Sequence, residues 1–291
     1  MNVNTLLCSI NEHEFMLFRN YISKVSGILI SSEKAYLVET RLSKLMLDVG
    51  TGSFEEFYKY IISGRDSGIT QKIINAITVN ETMWFRDNMP WHVLERVMLP
   101  VFIEDILSGR RTKVRIWSAA VSTGQEIYSA VMCIDDYLNK NNIKGVSLSN
   151  FEFLATDISS RVLDVAKKSR YDKISIMRGL NEHYRTKYFK NIDSAWEIDS
   201  NIKNAVRFER FNLQDNYKIF GDFDIIFCRY VLIYFSDELK REIAGKICNA
   251  LVDEGLLFTG NYVLYDLFKD YFDTKPYGNA TYFSKKKEFL S

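Results

Sequence analysis

Small and polar side chains follow four segments that have the composition of buried strands, at the points where the strands are predicted to end. Residues 118–126 form a turn of small residues leading into a helix, and Asp157, Asn212 and Arg229 follow the other three segments. Small residues let a ligand approach the backbone, and a helix that begins there presents free N–H groups. A carboxylate after the second strand commonly accepts hydrogen bonds from ribose hydroxyls. The pattern favours a nucleoside-type ligand.

Each of these features also has a purely structural interpretation. The turn at 118–126 lacks the G-x-G-x-x-G pattern of dinucleotide-binding loops, so by itself it is equally consistent with an ordinary strand-to-helix connection. Asp157 could cap the helix that follows it, and Arg229 could lie at a sheet edge beside packed aromatic residues. Asp157 also lies further from Gly124 than the usual spacing of about twenty residues. The polar loop at 139–150 accounts for the excess.

The elements before about residue 100 are predicted to be helices, because apolar residues recur there at helical spacing. Ser53 followed by Glu56 is a capping-box pattern, and Gly50 is placed to end the preceding helix. The expected helices span residues 14–25, 34–47, 53–64, 71–77 and 90–107. Residues 1–100 are therefore predicted to form a small all-α domain and linker.

From residue 113 short β-rich runs alternate with amphipathic helices, which is typical of βαβ units and a parallel sheet. Strands are expected at 114–117, 151–155, 205–211, 223–228 and 255–259, with an antiparallel pair around 270–272 and 281–284. The helices between them are expected at 126–138, 160–168 and 237–251. Residues 101–291 are thus predicted to form an α/β domain that binds its ligand where strand order reverses. The segment 171–207 is longer than an ordinary connection and predicts an inserted subdomain or functional loop.

Composition excludes several classes of protein. The 291 residues include 47% hydrophobic and 26% charged residues with a net charge of +1, so nothing predicts binding to nucleic acid or an anionic membrane. The four cysteines, at 8, 133, 228 and 248, form no C-x-x-C pair, which argues against a metal site or disulfide framework. The chain shows neither a signal peptide nor an apolar run of about 20 residues. We expect a cytoplasmic protein without membrane insertion; no pattern demands a symmetric interface, so a monomer is favoured.

Four segments in order resemble the signature blocks of the CheR family, the chemotaxis receptor glutamate methyltransferases. They read TVNETMWFRD at 78–87, IWSAAVSTGQEIYS at 116–129, ATDIS at 155–159 and IFCRYVLIYF at 226–235. The resemblance covers nearly the whole chain. It implies a Rossmann-like domain that binds S-adenosylmethionine, preceded by a helical domain that helps to close the site. It also implies that 171–207 is a small β-subdomain.

The resemblance implies roles for particular residues. By position, the cofactor contacts would come from Asn80, Thr82, Arg86, Ala120, Glu126, Asp157, Asn212, Leu213, Arg229 and Tyr230. Arg86 and Tyr234 fall where the family places the two side chains nearest the transferred methyl group. The chain departs from the family pattern, which usually has glycine at Ala120, cysteine at Val121, glutamate at Gln125, proline at Ile127 and asparagine at Tyr230. If position 120 requires a positive φ, alanine there costs about 1 kcal/mol.

The implied chemistry needs positioning more than proton transfer. A glutamate acceptor has an ordinary pKa of about 4.3 and is already ionised at neutral pH, so in-line methyl transfer requires no general base. The three histidines, His13, His92 and His183, are accordingly predicted to be structural or surface residues. Arg86 is expected to hold one carboxylate oxygen by a charge-assisted hydrogen bond, and Tyr234 to donate a second one.

A receptor partner also needs a docking surface. Lys34, Arg41 and Lys44 lie at i, i+7 and i+10 of a predicted helix, where they could face an acidic receptor coiled coil or simply water. The 171–207 segment resembles a subdomain that docks on a receptor's C-terminal peptide in some family members. Two alternatives stay open: a methyltransferase for another substrate and a catalytically impaired receptor-binding module. Enzymes for amine acceptors usually carry an Asn/Asp-Pro-Pro-aromatic element where this chain has Cys228-Arg229-Tyr230.

Overall fold

A helical bundle precedes an α/β domain in the computed structural model, which describes residues 9–260, 265–278 and 280–287. Residues 1–8, which include Cys8 and most of the N-terminal stretch where a signal peptide would lie, are outside these ranges. The bundle consists of α1 (Glu12–Ser26), α2 (Ala35–Asp48), α3 (Phe54–Ile62) and α4 (Ile69–Ile77). These helices pack around their own core, in which Phe18, Val38, Leu42 and Phe57 are fully buried.

Local capping explains where the bundle helices begin and end. The Asn11 side chain accepts a hydrogen bond from the Glu14 N–H at 2.9 Å, and the Glu14 carboxylate accepts one from the Asn11 N–H at 2.9 Å. This capping box was not predicted. At the predicted box, Ser53 caps Glu56 at 3.2 Å, but the Glu56 carboxylate accepts from Gly52 instead. Only half of that expected motif forms.

A continuous helical segment then leads to the sheet. It comprises α5 (Asn88–Val93), a π-helical turn (Leu94–Met98) and α6 (Leu99–Leu107). In the π turn the Leu99 N–H donates to the Leu94 carbonyl, five residues earlier. Pro100 has no N–H to donate to the carbonyl of Arg96, so the regular ladder is interrupted there in any case. The segment runs across residue 100, where the sequence predicts the boundary between the two domains. That domain boundary stays a prediction.

The main sheet has seven strands in the order β6-β2-β1-β7-β8-β10-β9. The first five in that order are parallel, and β10 and β9 are antiparallel additions. Their bounds are β1 (Val114–Ala119), β2 (Phe151–Asp157), β6 (Val206–Arg210), β7 (Phe223–Phe227), β8 (Leu251–Phe258), β9 (Phe272–Tyr277) and β10 (Ala280–Lys285). Strand order reverses between β1 and β7, so the expected open α/β sheet is confirmed, and its switch point lies beside these two strands.

Helices cover both faces of this sheet. They are α7 (Gln125–Lys140), α8 (Ser160–Lys168), α12 (Asp237–Asn249) and the short α13 (Tyr265–Phe268). Neighbouring residues of β1 point into different cores, because side chains alternate along a strand. Ile116 belongs to the core that contains Val131 of α7, and Trp117 to the core that contains Ile243 of α12.

Three predicted element boundaries near the C-terminus differ from the structure. The helix expected to reach residue 251 ends at Asn249, and the strand expected from residue 255 already begins at Leu251. The first strand of the antiparallel pair is Phe272–Tyr277 and not 270–272. It includes Pro276, which a central strand would not tolerate; β9 is the outermost strand, where a missing N–H leaves no partner unpaired.

The long segment after α8 contains a second, three-stranded antiparallel sheet in the order β3-β5-β4. Its elements are β3 (Arg170–Tyr171), α9 (Lys173–Met177), α10 (Glu182–Tyr188), β4 (Phe189–Ile192), β5 (Ala195–Ile198) and α11 (Ser200–Asn204). Residues 206 and 207 of the expected 171–207 subdomain belong to β6 of the main sheet instead. Among the described residues, no helix combines the length and the apolar character needed to cross a membrane.

Candidate active site

A cavity of about 360 Å³ lies over the carboxyl ends of the central parallel strands, beneath the helical bundle. Ala120, Asp157 and Leu213 line it from the loops after the strands, and Leu37 and Ile77 line it from the bundle. The bundle is tied to the sheet at this point, because the Leu29 N–H donates to the carbonyl of Tyr234 at 2.8 Å. The volume is in the range of small-molecule sites, so the cavity can hold a nucleoside-sized ligand.

The loop after β1 forms one wall through an unusual backbone. Ala120, Ser122 and Gly124 have φ of +64°, +56° and +96°. Position 120 therefore requires the left-handed region of φ, which agrees with the glycine that the CheR family usually has there. Alanine at this position is strained by about 1 kcal/mol relative to glycine. The loop keeps this shape because the Ser122 N–H donates to the Asp157 carboxylate at 2.9 Å.

Asp157 joins two loops of the site, but it does not cap α8, whose N-cap residue is Ser159. Its two carboxylate oxygens accept from the N–H groups of Ser122 and Ser159, each at 2.9 Å, which is a structural function. Its side chain also lines the cavity, although the residue is only 6% exposed. Burial raises the pKa of the Asp157 carboxyl, partly offset by the backbone N–H groups. A carboxylate can accept about four hydrogen bonds, so capacity remains for a ligand hydroxyl.

Arg229 is buried within a cluster of charges and does not lie at an exposed sheet edge. Its side chain is 1% exposed, and its two terminal nitrogens contact Glu126 at 2.8 Å and Asp87 at 2.6 Å. The Ser118 hydroxyl donates to the other oxygen of Glu126 at 2.7 Å. Two carboxylates thus compensate one buried cation. The Arg229 Nε is buried and has no hydrogen-bond partner within the described residues.

Arg86 lines the cavity, and hydrogen bonds to its carbonyl hold its backbone in place. Its neighbours Phe85 and Asp87 have φ of +46° and +57°. Its carbonyl accepts from Arg229 at 2.6 Å and from the indole N–H of Trp91 at 3.3 Å. Strained backbone of this kind persists only where surrounding contacts over-determine it, and it concentrates at functional sites.

Tyr234 lines the same cavity as Arg86 and is half-buried. Burial raises the pKa of the Tyr234 hydroxyl and the nearby Glu81 carboxylate adds to the effect, whereas Arg41 and Arg86 lower it. The phenol is therefore protonated at neutral pH and can donate a hydrogen bond. The influence of both arginines on this one hydroxyl shows that cationic groups converge on this part of the cavity.

Tyr230 does not block the cavity. It has a φ of +58°, and its hydroxyl donates to the Asp87 carboxylate at 2.6 Å. The ring lies beneath the Arg86 guanidinium and against Gly260, where an added Cβ would come within 2.9 Å of the ring. The bulk that tyrosine adds relative to asparagine is accommodated by the absence of a side chain at Gly260.

The remaining predicted residues divide into two groups. Asn80 and Leu213 line the main cavity, and the Asn80 carbonyl accepts from the Ser122 hydroxyl at 2.9 Å. Thr82 and Glu126 do not line it. They line a smaller adjoining cavity of about 30 Å³ together with Arg86, Ala120, Arg229 and Tyr230.

Asn212 lines the main cavity, but its side chain is largely engaged in the protein. Its amide nitrogen donates to the carbonyl of Val25 at 3.1 Å, and its amide oxygen accepts from the Gln214 N–H at 3.0 Å. Because Val25 belongs to α1, the contact fastens the helical bundle over the sheet. This connection could not be predicted from local sequence.

Sequence reasoning missed several residues of the site. Asp87 holds Arg229 and Tyr230, and Ser122 links Asp157 to Asn80. Asp87 ends the block at 78–87 and could have been identified, because an arginine at the end of a buried strand requires a carboxylate. Lys34 and Arg41, predicted only as docking residues, also line the cavity. Within the described part of the chain, no cluster of three or more His, Cys, Asp or Glu side chains is arranged to hold a metal ion.

Two family models match the chain. The model described as CheR methyltransferase, all-alpha domain, matches residues 13–78, and the model described as CheR methyltransferase, SAM binding domain, matches residues 80–275. Chemotaxis protein methyltransferase 1 of Pseudomonas aeruginosa is 40% identical over 248 residues, which cover 85% of this chain and 88% of that protein. The chemotaxis protein methyltransferase of Vibrio parahaemolyticus is 35% identical over 253 residues, or 87% and 89% of the two chains. Among solved structures, a TehB-like SAM-dependent methyltransferase from Corynebacterium glutamicum aligns with 68% of this chain and 96% of its own, at 15% identity and a TM-score of 0.35.

Proposed function

This chain belongs to the CheR methyltransferase family and is an S-adenosylmethionine-dependent methyltransferase of chemotaxis, and from this premise we propose that it esterifies glutamate side chains on the cytoplasmic helices of chemoreceptors. The observation that carries the proposal is that Arg86 and Tyr234, two donors suited to a carboxylate, line one cavity with the buried carboxylate of Asp157. Such a cavity can take an anionic acceptor at one end and a nucleoside at the other.

The residues around the cavity suit the cofactor. Asp157 has acceptor capacity for ribose hydroxyls beyond the two backbone N–H groups that it already binds. Leu213 and Ile158 provide apolar surface for a base. When bound, S-adenosylmethionine would supply an electrophilic methyl group, whose carbon a carboxylate oxygen can attack without proton transfer while neutral S-adenosylhomocysteine leaves.

The protein's contribution to the reaction is then orientation and charge. Arg86 would hold one oxygen of the acceptor carboxylate in a charge-assisted hydrogen bond and leave the other oxygen free to react. Tyr234 keeps its proton because burial and Glu81 raise its pKa, so it would act as a second donor and not as a base. The helical bundle covers the cavity and limits the access of water, which strengthens both contacts.

The receptor is proposed to approach along α2. Lys34 and Lys44 are exposed, and Lys34 and Arg41 line the cavity. These cations would attract an acidic receptor helix and orient it toward Arg86. Arg41 also donates to the carbonyl of Ile77, so part of its role is to hold the bundle together.

The 171–207 segment is proposed as a second docking surface, for an extended peptide at the receptor's C-terminus. What supports this is the open edge of its small sheet, where β4 (Phe189–Ile192) pairs on one side with β5. An unpaired edge can accept another strand through its main-chain groups. The division of the chain near residue 100, the cytoplasmic location and the monomeric state remain predictions.

A labelled transfer assay tests the proposal. The protein is incubated with S-adenosylmethionine labelled in the methyl group and with a receptor cytoplasmic fragment, and alkali-labile label is measured as released methanol. We expect label on the fragment, and none on a matched fragment in which the methylated glutamates are replaced by glutamine. Label on both fragments alike, or label that alkali does not release, would favour a different acceptor. Absence of transfer, with cofactor binding retained, would favour an impaired binding module.

A further inference from the structure

Tyr230 connects the proposed acceptor-binding arginine to the buried charges beneath it. The Cζ atom of Arg86 lies 3.5 Å from the centroid of the Tyr230 ring. The Tyr230 hydroxyl donates to Oδ2 of Asp87 at 2.6 Å, and the same oxygen accepts from Arg229 at 2.6 Å. One side chain therefore supports Arg86 with its face and joins the ion cluster with its hydroxyl.

Tyr230 has a backbone conformation that tyrosine rarely adopts, so contacts with other residues must hold the side chain in this position. A tyrosine at a φ of +58° is uncommon, whereas asparagine enters this region more readily. The ring is held from below as well, because a Cβ at Gly260 would lie 2.9 Å from Cε2 of the ring. Strained residues of this kind persist when neighbouring contacts require them.

The geometry also leaves Arg86 able to bind a carboxylate. A cation–π contact uses the flat face of the guanidinium, whereas a carboxylate is bound by the N–H groups in its plane. The hydrogen bond from Arg86 to the Glu81 carbonyl is 3.5 Å long and therefore weak. The Tyr230 ring thus supports a guanidinium whose own hydrogen bond within the protein is weak.

We propose that Tyr230 is a positioning residue that orients the Arg86 guanidinium for the acceptor carboxylate; this inference rests on the proposed function of Arg86. The ring fixes the plane of the guanidinium, and the hydroxyl fixes the ring through Asp87. Removing the ring leaves the arginine charged but free to turn, so the rate of transfer falls while the cofactor still binds.

Kinetic constants of three variants test the proposal. Tyr230→Phe keeps the ring and loses only the hydroxyl, so its kcat should stay within about threefold of wild type. Tyr230→Leu and Tyr230→Asn lose the ring, and their kcat should fall on the order of tenfold. In all three, the KM for the receptor fragment should change by less than about threefold. Because Tyr230 also lines the cavity, kcat is compared at saturating S-adenosylmethionine, and the affinity for S-adenosylhomocysteine is measured for each variant. Asparagine relieves backbone strain at this φ but loses the ring contacts and the hydrogen bond to Asp87, so thermal unfolding is measured to show that Tyr230→Asn is folded at the assay temperature.

A second readout does not depend on activity. The Nε–Hε signal of Arg86 in a nitrogen–proton correlation spectrum, identified by its loss in Arg86→Lys, reports the ring beneath it. It should keep its ring-current shift in Tyr230→Phe and lose it in Tyr230→Asn. The matched control is Phe223→Leu, which removes the ring 4.7 Å from Arg115 at the other end of β7. The control should leave both kcat and the Arg86 signal unchanged.

The outcomes separate this inference from the function it rests on. Wild-type kcat in folded Tyr230→Asn and Tyr230→Leu, or an Arg86 signal that does not move in them, would overturn the positioning role. Absence of methyl transfer by the wild-type protein would count against the proposed function instead. The spectra would then still decide whether Tyr230 orients Arg86.

Discussion

Gly179 touches the backbone of Trp84 so closely that a Cβ atom at position 179 would lie 2.1 Å from the Trp84 carbonyl oxygen. The same two segments are joined by hydrogen bonds from the Trp84 N–H to the Arg178 carbonyl at 3.0 Å and from the Trp84 indole to the Ser175 carbonyl at 3.1 Å. Trp84 stands two residues before Arg86. The 171–207 segment, which contains Gly179, therefore positions the loop that carries Arg86, the proposed acceptor-binding residue.

We predict that Gly179→Ala lowers the free energy of unfolding by about 2–4 kcal/mol, from the positive φ and from steric overlap together. It should also reduce methyl transfer, because the loop must move. The measurement is urea unfolding with a parallel activity assay. Gly109→Ala is the matched control, since Gly109 also has a positive φ of +76° but has no atom within 4 Å of an added Cβ. Equal losses in the two variants would show that the contact with Trp84 is unimportant.

We predict that Arg86→Ala reduces kcat on the order of 100-fold while the fold survives. Among the described residues, the Arg86 side chain makes only a weak hydrogen bond of 3.5 Å, to the Glu81 carbonyl, so its loss should cost little stability. Arg86→Lys should be intermediate, since lysine keeps the charge but loses the planar pair of donors. Initial rates with the receptor fragment and thermal unfolding measure the two effects. Wild-type turnover in Arg86→Ala would remove this residue from the mechanism.

We predict that Ala120→Gly raises the free energy of unfolding by about 1 kcal/mol, since glycine relieves the strain of a φ of +64°. For a protein of this size the unfolding midpoint should rise by roughly 2–4 °C. Differential scanning calorimetry measures it. The neighbouring Ala119 is buried within β1, so Ala119→Gly should have the opposite effect. A lower midpoint in Ala120→Gly would mean that the backbone at 120 is not strained.

We predict that replacing Lys34, Arg41 and Lys44 together by glutamate raises the KM for the receptor fragment about tenfold, more at low salt than at high salt. The affinity for S-adenosylhomocysteine should remain unchanged in Lys44→Glu alone, because Lys44, unlike Lys34 and Arg41, does not line the cavity. Reversal of Lys140 and Lys144, which are exposed and do not line the cavity, is the matched control. If receptor methylation by the triple variant equals that of wild type, docking along α2 is wrong.

The raised pKa of Asp157 predicts opposite effects of pH on binding and stability. The ionised carboxylate accepts ligand hydroxyls, so the affinity for S-adenosylhomocysteine should fall as the pH drops through that pKa. Ionised Asp157 also costs folding free energy; this cost is fully present above the raised pKa and disappears as the pH falls toward the ordinary value of about 3.9. Titrations from neutral pH down to the ordinary carboxyl pKa of about 3.9 check the binding, and Asp157→Asn should abolish the dependence. A pH-independent affinity in wild type would contradict the role of Asp157.

The fold and the general position of the site could be predicted from sequence because they depend on repeated local patterns. Alternating strands and helices placed Asp157 and Arg229 at the same edge of one sheet, and the four family blocks converge there. The strand containing Pro276 was misplaced because its position at the edge, which tolerates proline, is a property of the whole sheet.

What could not be predicted depends on contacts between distant residues. The interaction of the Tyr230 ring with Arg86 requires positive φ at Tyr230 and Asp87 and a glycine at position 260, none of which follows from local propensity. Asn212 was expected to contact the cofactor, yet its amide fastens α1 through the carbonyl of Val25. In both cases a residue's role is set by an element far away in the chain.

The most direct test of the account is a crystal structure of the protein grown with S-adenosylhomocysteine. We predict electron density for the nucleoside in the cavity of about 360 Å³, with a ribose hydroxyl on the Asp157 carboxylate and the sulfur facing Arg86 and Tyr234. Density for the nucleoside elsewhere, or a cavity closed by its own side chains at saturating ligand, would contradict it.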